Sequence, residues 1–453
     1  MKVLTNLFNV REITEAKTIN IADDILLQNC FGVSTDTRTL KSGEIFIALE
    51  GENFNGHDFL DRAIIGGAMA IITSDKYPYI ESNKILELKV KDTLQAYQNI
   101  AHWWRETLNI PIIGITGSVG KTTTKELISA VLSTQGKVLK TEGNFNNEIG
   151  VPKTLLQIDE SHNFAVIEMA MRGRGEIALL TEIANPNIGI ITNVGTAHIG
   201  RLGSREAIAQ AKCELLAKMN DSGVAILNAD NDLLMKTAKD IWHGETITYG
   251  LNSGDLRGEL VANQTLKVDN RLYPVPLNGQ HNALNYLAAI ATAKVLGIDL
   301  SVLEKGVEVT LPKGRAKRHL LSNNIEILDE TYNAGLESMI AALHLLKQTE
   351  GKRKIAVLGT MKELGDYAPQ LHRQVGETVK ALNLDVLLIL ADEDVTKTMA
   401  EGAMGVDTEI FSNHDDLFNH LKQIMEEGDR ILLKASNSVG LSKVVDRLLV
   451  YSV

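Results

Sequence analysis

The sequence predicts an α/β protein of three domains, the central one built on a mostly parallel sheet with a phosphate-binding loop and the C-terminal one Rossmann-like. Three observations carry that expectation. The chain has 453 residues, too many for one ordinary core. Short apolar runs alternate with helical patterns along most of its length, as crossover-connected parallel strands do. One of those runs leads into "GITGSVGKTTTKEL", Gly114 to Leu127, which has the make-up of a loop that holds phosphates.

The opening third contains "SGEIFIALEGENFNGHDFLDRAIIGGAMAIIT", read as a strand, a polar glycine loop, a helix and a strand. A helix expected over 93–107 leads to Pro111, so the first domain is expected to span 1–108. The middle domain, 109–312, runs through "IPIIGIT", "FAVIEM", "NIGIITNV" and "GVAILN". The chain then changes domain near Leu311-Pro312-Lys313-Gly314. The last domain, 313–453, carries "KIAVLG", "DVLLIL" and "RILLKAS", each followed by a helical stretch. The sequence contains no short-period repeat and no low-complexity tract.

Composition narrows the function classes. A hydrophobic content of 44% with 23% charged residues is that of a folded, water-soluble chain. The net charge of −11 argues against a nucleic-acid or anionic-membrane partner. A polyanionic substrate would need locally placed Lys and Arg. Cys30 and Cys213 are the two cysteines, compatible with a reducing compartment. The first residues, "MKVLTNLFNVREITEAK", lack a continuous apolar core, so no signal peptide is expected. No apolar run approaches the ~18 residues that span a bilayer. A cytoplasmic protein without an integral membrane segment is expected.

"IPIIGIT" is β-branched and apolar, a buried strand. Gly117 and Gly120 then permit a tight turn whose backbone N–H groups converge on an anion. "KTTTKELISAVLS" reads as a helix with Leu127, Ile128, Val131 and Leu132 as its apolar stripe, its positive N-terminal end aimed at the same anion. Lys121 would reach the outer phosphates and the Thr122 hydroxyl could bind Mg²⁺. The generic pattern places a glycine five residues before Gly120, where this chain has Ile115. These residues point to ATP or GTP; the plainer reading is a strand-to-helix turn with a surface lysine.

Ligands of open α/β sheets gather beyond the carboxyl ends of the strands. Glu168 ends "FAVIEM", His198 follows "NIGIITNV", and Lys212 lies in "SREAIAQAKCELLAKM". A carboxylate beside a phosphate-loop threonine can hold Mg²⁺. Taken singly, Glu168 is equally a surface charge, His198 a structural histidine and Lys212 a solvated helix residue. In "LNGQHNALNYLAAIATAKVLGI", Leu284, Leu287, Ala288, Ala291 and Val295 mark a buried helix face. Asn282 and Asn285 share its N-terminal end and suit a base or ribose, or alternatively serve as a cap and a solvated residue.

The ordered set "TGSVGKTT", "NFNNEIGVPKTLL", "EMAMRGRGEIALLT", "TNVGTAHIGRLGS", "GQHNALN", "DETYNAGLESM" and "LGTMKELG" resembles the Mur ligases, the ATP-dependent amide ligases of bacterial cell-wall synthesis. Within them it resembles the MurF type, which joins D-alanyl-D-alanine to UDP-N-acetylmuramoyl-tripeptide. The resemblance runs from about Ser34 to the C-terminus. "STDTRTLKSGEIFIALEGENFNGHDFLDRA" is similar to the uridine-diphosphate-binding domain of the MurF and MurE types, and "ILDETYNAGLESM" to the MurF string DDxYNANPxSM. The DNPR tetrad of MurE enzymes that add diaminopimelate is missing.

The resemblance implies roles. Gly117, Ser118, Val119, Gly120, Lys121, Thr122 and Thr123 would cradle the ATP phosphates, with Asn282, Asn285, Arg315 and Asp329 closing on the nucleotide. Thr122 and Glu168 would hold one Mg²⁺. His198 and Lys212 would serve a second, with Lys212 carboxylated by CO₂ to a carbamate. Ser34, Thr35, Asp36, Arg38 and Asn147 would bind the UDP-substrate, and Tyr332 and Asn333 the dipeptide. A monomer acting through an acyl phosphate is implied.

The chain departs from the family pattern in four places: Cys213 where glycine is common, "RGRGEI" with Arg172 and Arg174 instead of a segment ending HPGEI, "YNAGLESM" without its proline, and Asn437 where KGSR supplies arginine. Two alternatives stand beside the ligase reading. One is MurE-type addition of a single amino acid. The other is a nucleotide-dependent switch, although the guanine-reading NKxD motif is missing.

Overall fold

The computed structural model describes residues 4–18, 23–80, 85–261 and 264–451. Its first sheet has four parallel strands in chain order, β1 (Val33–Ser34), β2 (Ile45–Ile47), β3 (Ala70–Ser74) and β4 (Leu86–Val90). Helix α1 (Thr93–Glu106) follows, started by the Asp92 carboxylate, which accepts from the amides of Leu94 and Gln95 at 2.8 and 3.0 Å. That cap satisfies donors that the first turn would otherwise leave unpaired.

The far end of α1 ties the first sheet to the next. The Trp104 indole donates to the Ile158 carbonyl at 3.2 Å. The buried Arg105 guanidinium donates to the carbonyls of Leu108, Ala184 and Asn185 and to the Asn187 side chain, at 2.9–3.2 Å. A planar guanidinium can satisfy this many carbonyls at once, where an ammonium could not.

The central sheet begins with β5 (Ile112–Thr116), α2 (Lys121–Leu132), β6 (Val138–Lys140), α3 (Gly150–Leu156), β7 (Phe164–Glu168) and α4 (Glu176–Ala184). It continues with β8 (Ile188–Ile191), α5 (Arg205–Lys218), β9 (Val224–Asn228), β10 (Glu245–Gly250) and β11 (Leu256–Val261). Two further strands, β12 (Thr265–Val268) and β13 (Arg271–Pro274), precede helix α6 (Gln280–Val295). The strand order is β6-β7-β5-β8-β9-β10-β11-β12-β13, parallel up to β11 and antiparallel beyond. β5 is apolar and buried along its whole length, as a central parallel strand covered on both faces must be. In register, Ile115 lies beside Glu168 and Thr116 beside Ile191, so the loop after β5 is flanked by the ends of β7 and β8.

Helix α6 differs from its expected one-sided stripe. Leu287, Ala288 and Ala291 are buried as predicted, but Ala283, Tyr286, Ala289, Ile290 and Ala293 are buried too, while Leu284 and Val295 are only partly covered. The abundance of alanine allows α6 to pack closely on α2 and over the sheet, so nearly every face is occupied.

The last sheet contains β14 (Lys317–Leu320), β15 (Glu326–Asp329), β16 (Lys354–Gly359), β17 (Val386–Leu390), β18 (Asp407–Phe411) and β19 (Arg430–Lys434). Their order is β14-β15-β19-β16-β17-β18, with only the first pair antiparallel. Helix α7 (Leu336–Gln348) follows β15. Core residues of this unit and of the central one belong to one apolar cluster, which includes Val194, Ile199, Met339, Met361 and Leu364. No helix among the described residues is long and apolar enough to cross a membrane.

Arg105→Met should destabilise the protein by about 2–4 kcal/mol, because it keeps the aliphatic stem but leaves several buried carbonyls without donors. Denaturant unfolding with tryptophan fluorescence measures this, and a change below about 0.5 kcal/mol would remove Arg105 as the anchor between the first two sheets.

Candidate active site

The phosphate-loop residues form a turn gripped from three sides. Gly117 has φ +152° and Gly120 φ +83°. A Cβ on Gly117 would lie 1.9 Å from Thr192 Oγ1, and one on Gly120 would lie 2.7 Å from Asn285 Oδ1. The glycines are therefore required both by backbone conformation and by close neighbours. Asn193, just past β8, holds the loop with backbone and side chain: its carbonyl accepts from the Ser118 amide at 3.1 Å and its Oδ1 from the Val119 amide at 3.0 Å. The Ser118 hydroxyl accepts from the Gly195 amide at 2.9 Å. Asn193 was missed in the sequence, although its place after the strand neighbouring β5 was a signal that could have found it.

Lys121 opens α2 and its Nζ donates to the Gly117 carbonyl at 2.7 Å. Burial pushes its pKa down, the Glu168 carboxylate opposes that, and the Arg315 guanidinium adds to it. Thr122 is buried beside it, and Thr123 is partly exposed. Asn285, 8% exposed, closes the other side of the turn, with Asn282, 2% exposed, behind it. Asn282 Nδ2 donates to the Asn278 carbonyl at 2.7 Å, so this asparagine does not serve as the cap of α6.

Glu168 is 2% exposed at the end of β7. Its Oε1 accepts from Asn146 Nδ2 at 2.8 Å, and its buried Oε2 has no hydrogen-bond partner. Lys125 Nζ lies 3.9 Å from that oxygen and donates to the Thr141 carbonyl at 2.6 Å. Lys125 is completely buried with Glu126 as its nearer ion partner at 3.1 Å. Sequence reasoning missed this pair, although Lys125 sits one helical turn after Lys121 on the same face. A buried carboxylate oxygen without a hydrogen bond, one strand from the glycine turn, fits a hard divalent cation.

His198 and Lys212 come to the same region from two other elements. Lys212 is not the solvated cation that its amphipathic helix suggested. It is 2% exposed within α5, and burial holds its pKa well below the ordinary lysine value, with the charge of Lys121 acting in the same direction. His198 is half-buried with φ +64°, and burial lowers its pKa. Cys213 is fully buried next to Lys212, and burial pushes its thiol up to about 12, leaving it inert.

From the C-terminal unit, Arg315 comes near enough to act on Lys121. The Arg315 guanidinium stacks over the Tyr332 ring at 4.0 Å and its Nε is buried without a hydrogen bond. Asp329, buried at the end of β15, accepts from the Thr331 amide and hydroxyl at 3.1 and 2.7 Å. Lys434 Nζ donates to the carbonyl of the exposed Asn333 at 2.9 Å.

A second concavity, of about 730 Å³, lies between the first sheet and α3, lined by Thr35, Asp36, Arg38, Phe54, Asn147 and Lys153. Ser34 lies in an adjoining cavity of about 600 Å³ and its hydroxyl donates to the Asp36 carbonyl at 3.0 Å. Asp36 pairs with Arg38 at 2.6 Å, and that hydrogen-bonded pairing holds its carboxyl at about 2. Asn147 Oδ1 accepts from the Gly150 amide at 2.9 Å, anchoring the cavity wall to α3. Arg172 and Arg174 are exposed on the approach to α4.

Three family descriptions match in succession: Mur ligase family, catalytic domain, over residues 31–105; Mur ligase middle domain over 115–293; and Mur ligase, glutamate ligase domain, over 314–437. The UDP-N-acetylmuramoyl-tripeptide–D-alanyl-D-alanine ligase of Synechocystis is 55% identical over 98% of this chain and 97% of its own length. The chain belongs to the Mur ligase family. The Bacillus subtilis ligase of the same name is 37% identical over 92% of this ligase and 93% of its own length. Among solved structures, MurF from Acinetobacter baumannii superposes with a TM-score of 0.88 at 30% identity, covering 98% of both chains. The Thermotoga maritima MurF ligase in complex with ADP superposes with a TM-score of 0.81 at 26% identity, covering 94% of this ligase and 98% of that chain.

Gly117→Ala should abolish nucleoside triphosphate binding by calorimetry while far-UV circular dichroism stays unchanged. Its methyl group would collide with Thr192 and disfavour the turn. Affinity within threefold of the parent would show that the loop does not hold phosphates.

Proposed function

We propose that the protein is the ATP-dependent, ADP-forming ligase that joins D-alanyl-D-alanine to UDP-N-acetylmuramoyl-tripeptide in peptidoglycan precursor synthesis. The convergence of Lys121, Glu168, His198 and Lys212 on the end of the parallel sheet carries this reading, supported by relatives of that name along nearly the whole chain. In this reading residues 1–108 bind the UDP portion, 109–312 bind ATP, and 313–453 close on ATP and receive the dipeptide. The protein works as a cytoplasmic monomer.

In the first step an oxygen of the tripeptide's terminal carboxylate attacks the γ-phosphorus of ATP, and ADP leaves. Lys121 and the amides from Gly117 to Thr123 hold the phosphates in line and offset the charge of two approaching anions. In the second step the dipeptide amine attacks the carbonyl carbon of the acyl phosphate. A tetrahedral intermediate collapses, the C–O bond to phosphate breaks, and the amine proton is lost. Thr122 and Glu168 would hold one Mg²⁺, and His198 with Lys212 a second. Bound there, the ions neutralise phosphate charge and polarise the transferred group.

Lys212 suits that second role as a carbamate. Its amine is buried and biased toward the neutral form, the form that adds CO₂. The N–C bond forms, a proton leaves, and an ammonium that would repel Mg²⁺ becomes an oxygen donor. Arg315, Asp329, Asn282 and Asn285 surround the nucleotide, with Tyr332 and Asn333 toward the dipeptide. The cavity at Thr35, Asp36, Arg38 and Asn147, with Ser34 behind it, receives the UDP group.

Phosphate release should require the UDP-tripeptide and D-alanyl-D-alanine together. Release supported equally by a single amino acid would indicate MurE-type chemistry, and release indifferent to any amine would indicate a nucleotide switch. Lys121→Ala should lower the rate by ~10²–10³-fold, equivalent to ~3–4 kcal/mol, with the fold intact; activity within tenfold of the parent would displace Lys121 from the phosphates. Lys212→Ala should be inactive alone and partly rescued by short-chain carboxylates. Near-normal activity without rescue would refute the carbamate.

A further inference from the structure

His198 is met by a side chain from the other side of the domain interface. Glu363, in the loop after β16, places Oε2 2.5 Å from His198 Nδ1, a close contact without linear hydrogen-bond geometry. Both residues have φ +64°, a conformation that is uncommon outside glycine and persists where the surroundings enforce it. Here the enforcement is visible. The Gly200 amide donates to the Glu363 carbonyl at 3.2 Å, and Arg201 Nη2 reaches Glu363 Oε1 at 3.4 Å. A Cβ on Gly200 would lie 2.5 Å from the Gly365 nitrogen, so the two loops meet backbone to backbone. Tyr367 donates to the Gly203 carbonyl at 2.8 Å, and Glu337 accepts from the Thr196 amide and hydroxyl at 2.8 and 3.1 Å. The docked loops thus hold Glu363 on one particular ring nitrogen.

A carboxylate this close to Nδ1 favours the imidazole tautomer with its proton there and leaves Nε2 free as a ligand, the usual support of a metal-binding histidine. We propose that Glu363 is the positioning residue for His198, so that the second divalent-cation site is completed by docking of the C-terminal domain. The proposal rests on the reading of His198 as a ligand of that cation. It gives the two-ion arrangement a dependence on closure: an undocked C-terminal domain leaves His198 without its orienting carboxylate.

The test counts Mn²⁺, used in place of Mg²⁺, bound to the full-length protein with a non-hydrolysable ATP analogue, by electron paramagnetic resonance. The parent should bind two ions. Glu363→Ala should weaken one of them by about 10–100-fold and leave the other unchanged, the retained site reporting that the fold and phosphate loop are intact. Glu363→Gln, which keeps an acceptor oxygen, should recover part of the loss. Two sites of parental affinity in Glu363→Ala, or a tightened second site because the carboxylate had been competing with the ion, would overturn the assignment alone. A single Mn²⁺ in the parent would overturn it together with the two-ion reading.

Discussion

Two lysine amines from different helices meet at the carboxyl edge of one sheet, and much of the site is arranged around that fact. Lys121 is fixed at the start of α2 by the turn of the loop, and Lys212 is buried in α5. After burial itself, the charge of Lys121 is what most depresses the pKa of Lys212. Like charges in a desolvated pocket repel strongly. The Glu168 carboxylate beside the loop acts against that depression at Lys121.

The parallel sheet supplies the precision that such crowding needs. Because Glu168 and Thr116 lie in register with their neighbours on β5 and β8, carboxylate, loop and Asn193 arrive at one edge without long connecting loops. Helix α6 then presses Asn285 against Gly120, and Thr192 fills the space where a side chain at 117 would stand. A loop held by three elements presents its amides already oriented, which is how charge stabilisation at a transition state is made effective. Beneath it, Lys125, Glu126 and the Thr141 carbonyl form a buried polar layer that supports the strand carrying Glu168.

The C-terminal unit reaches into the candidate site. Its Arg315 lies close enough to influence Lys121, and its Glu363 and Glu337 grip the segment that bears His198. The apolar cluster common to the two units makes this contact more than a set of surface ion pairs.

Seven strands of the second and third sheets, β5, β7, β8, β9, β16, β17 and β19, were legible in the sequence, as were the glycine turn and the helix start at Lys121; the short strand β6, the antiparallel extension of the central sheet and β14, β15 and β18 were not. They depend on local properties: alternation of apolar runs, the freedom of glycine, and the charge at a helix start. Glu168 and His198 were legible as strand-end candidates for the same reason. The burial of Lys212 was not, because α5 reads as amphipathic and what covers its polar face comes from other elements. The all-round burial of α6 escaped for a similar reason, since alanine spacing does not say how many neighbours will use it. Glu363 lay in a quoted motif without being singled out, and Thr196 and Glu337, 141 positions apart, carry no mutual signal in the chain. Sequence alone determined the fold class and the strand, glycine turn and helix from β5 to α2, because backbone preferences and hydrophobic periodicity act over a few residues. Tertiary structure alone decided which lysine loses its water and which carboxylate faces His198, because desolvation and charge pairing depend on distances that only the packed chain sets.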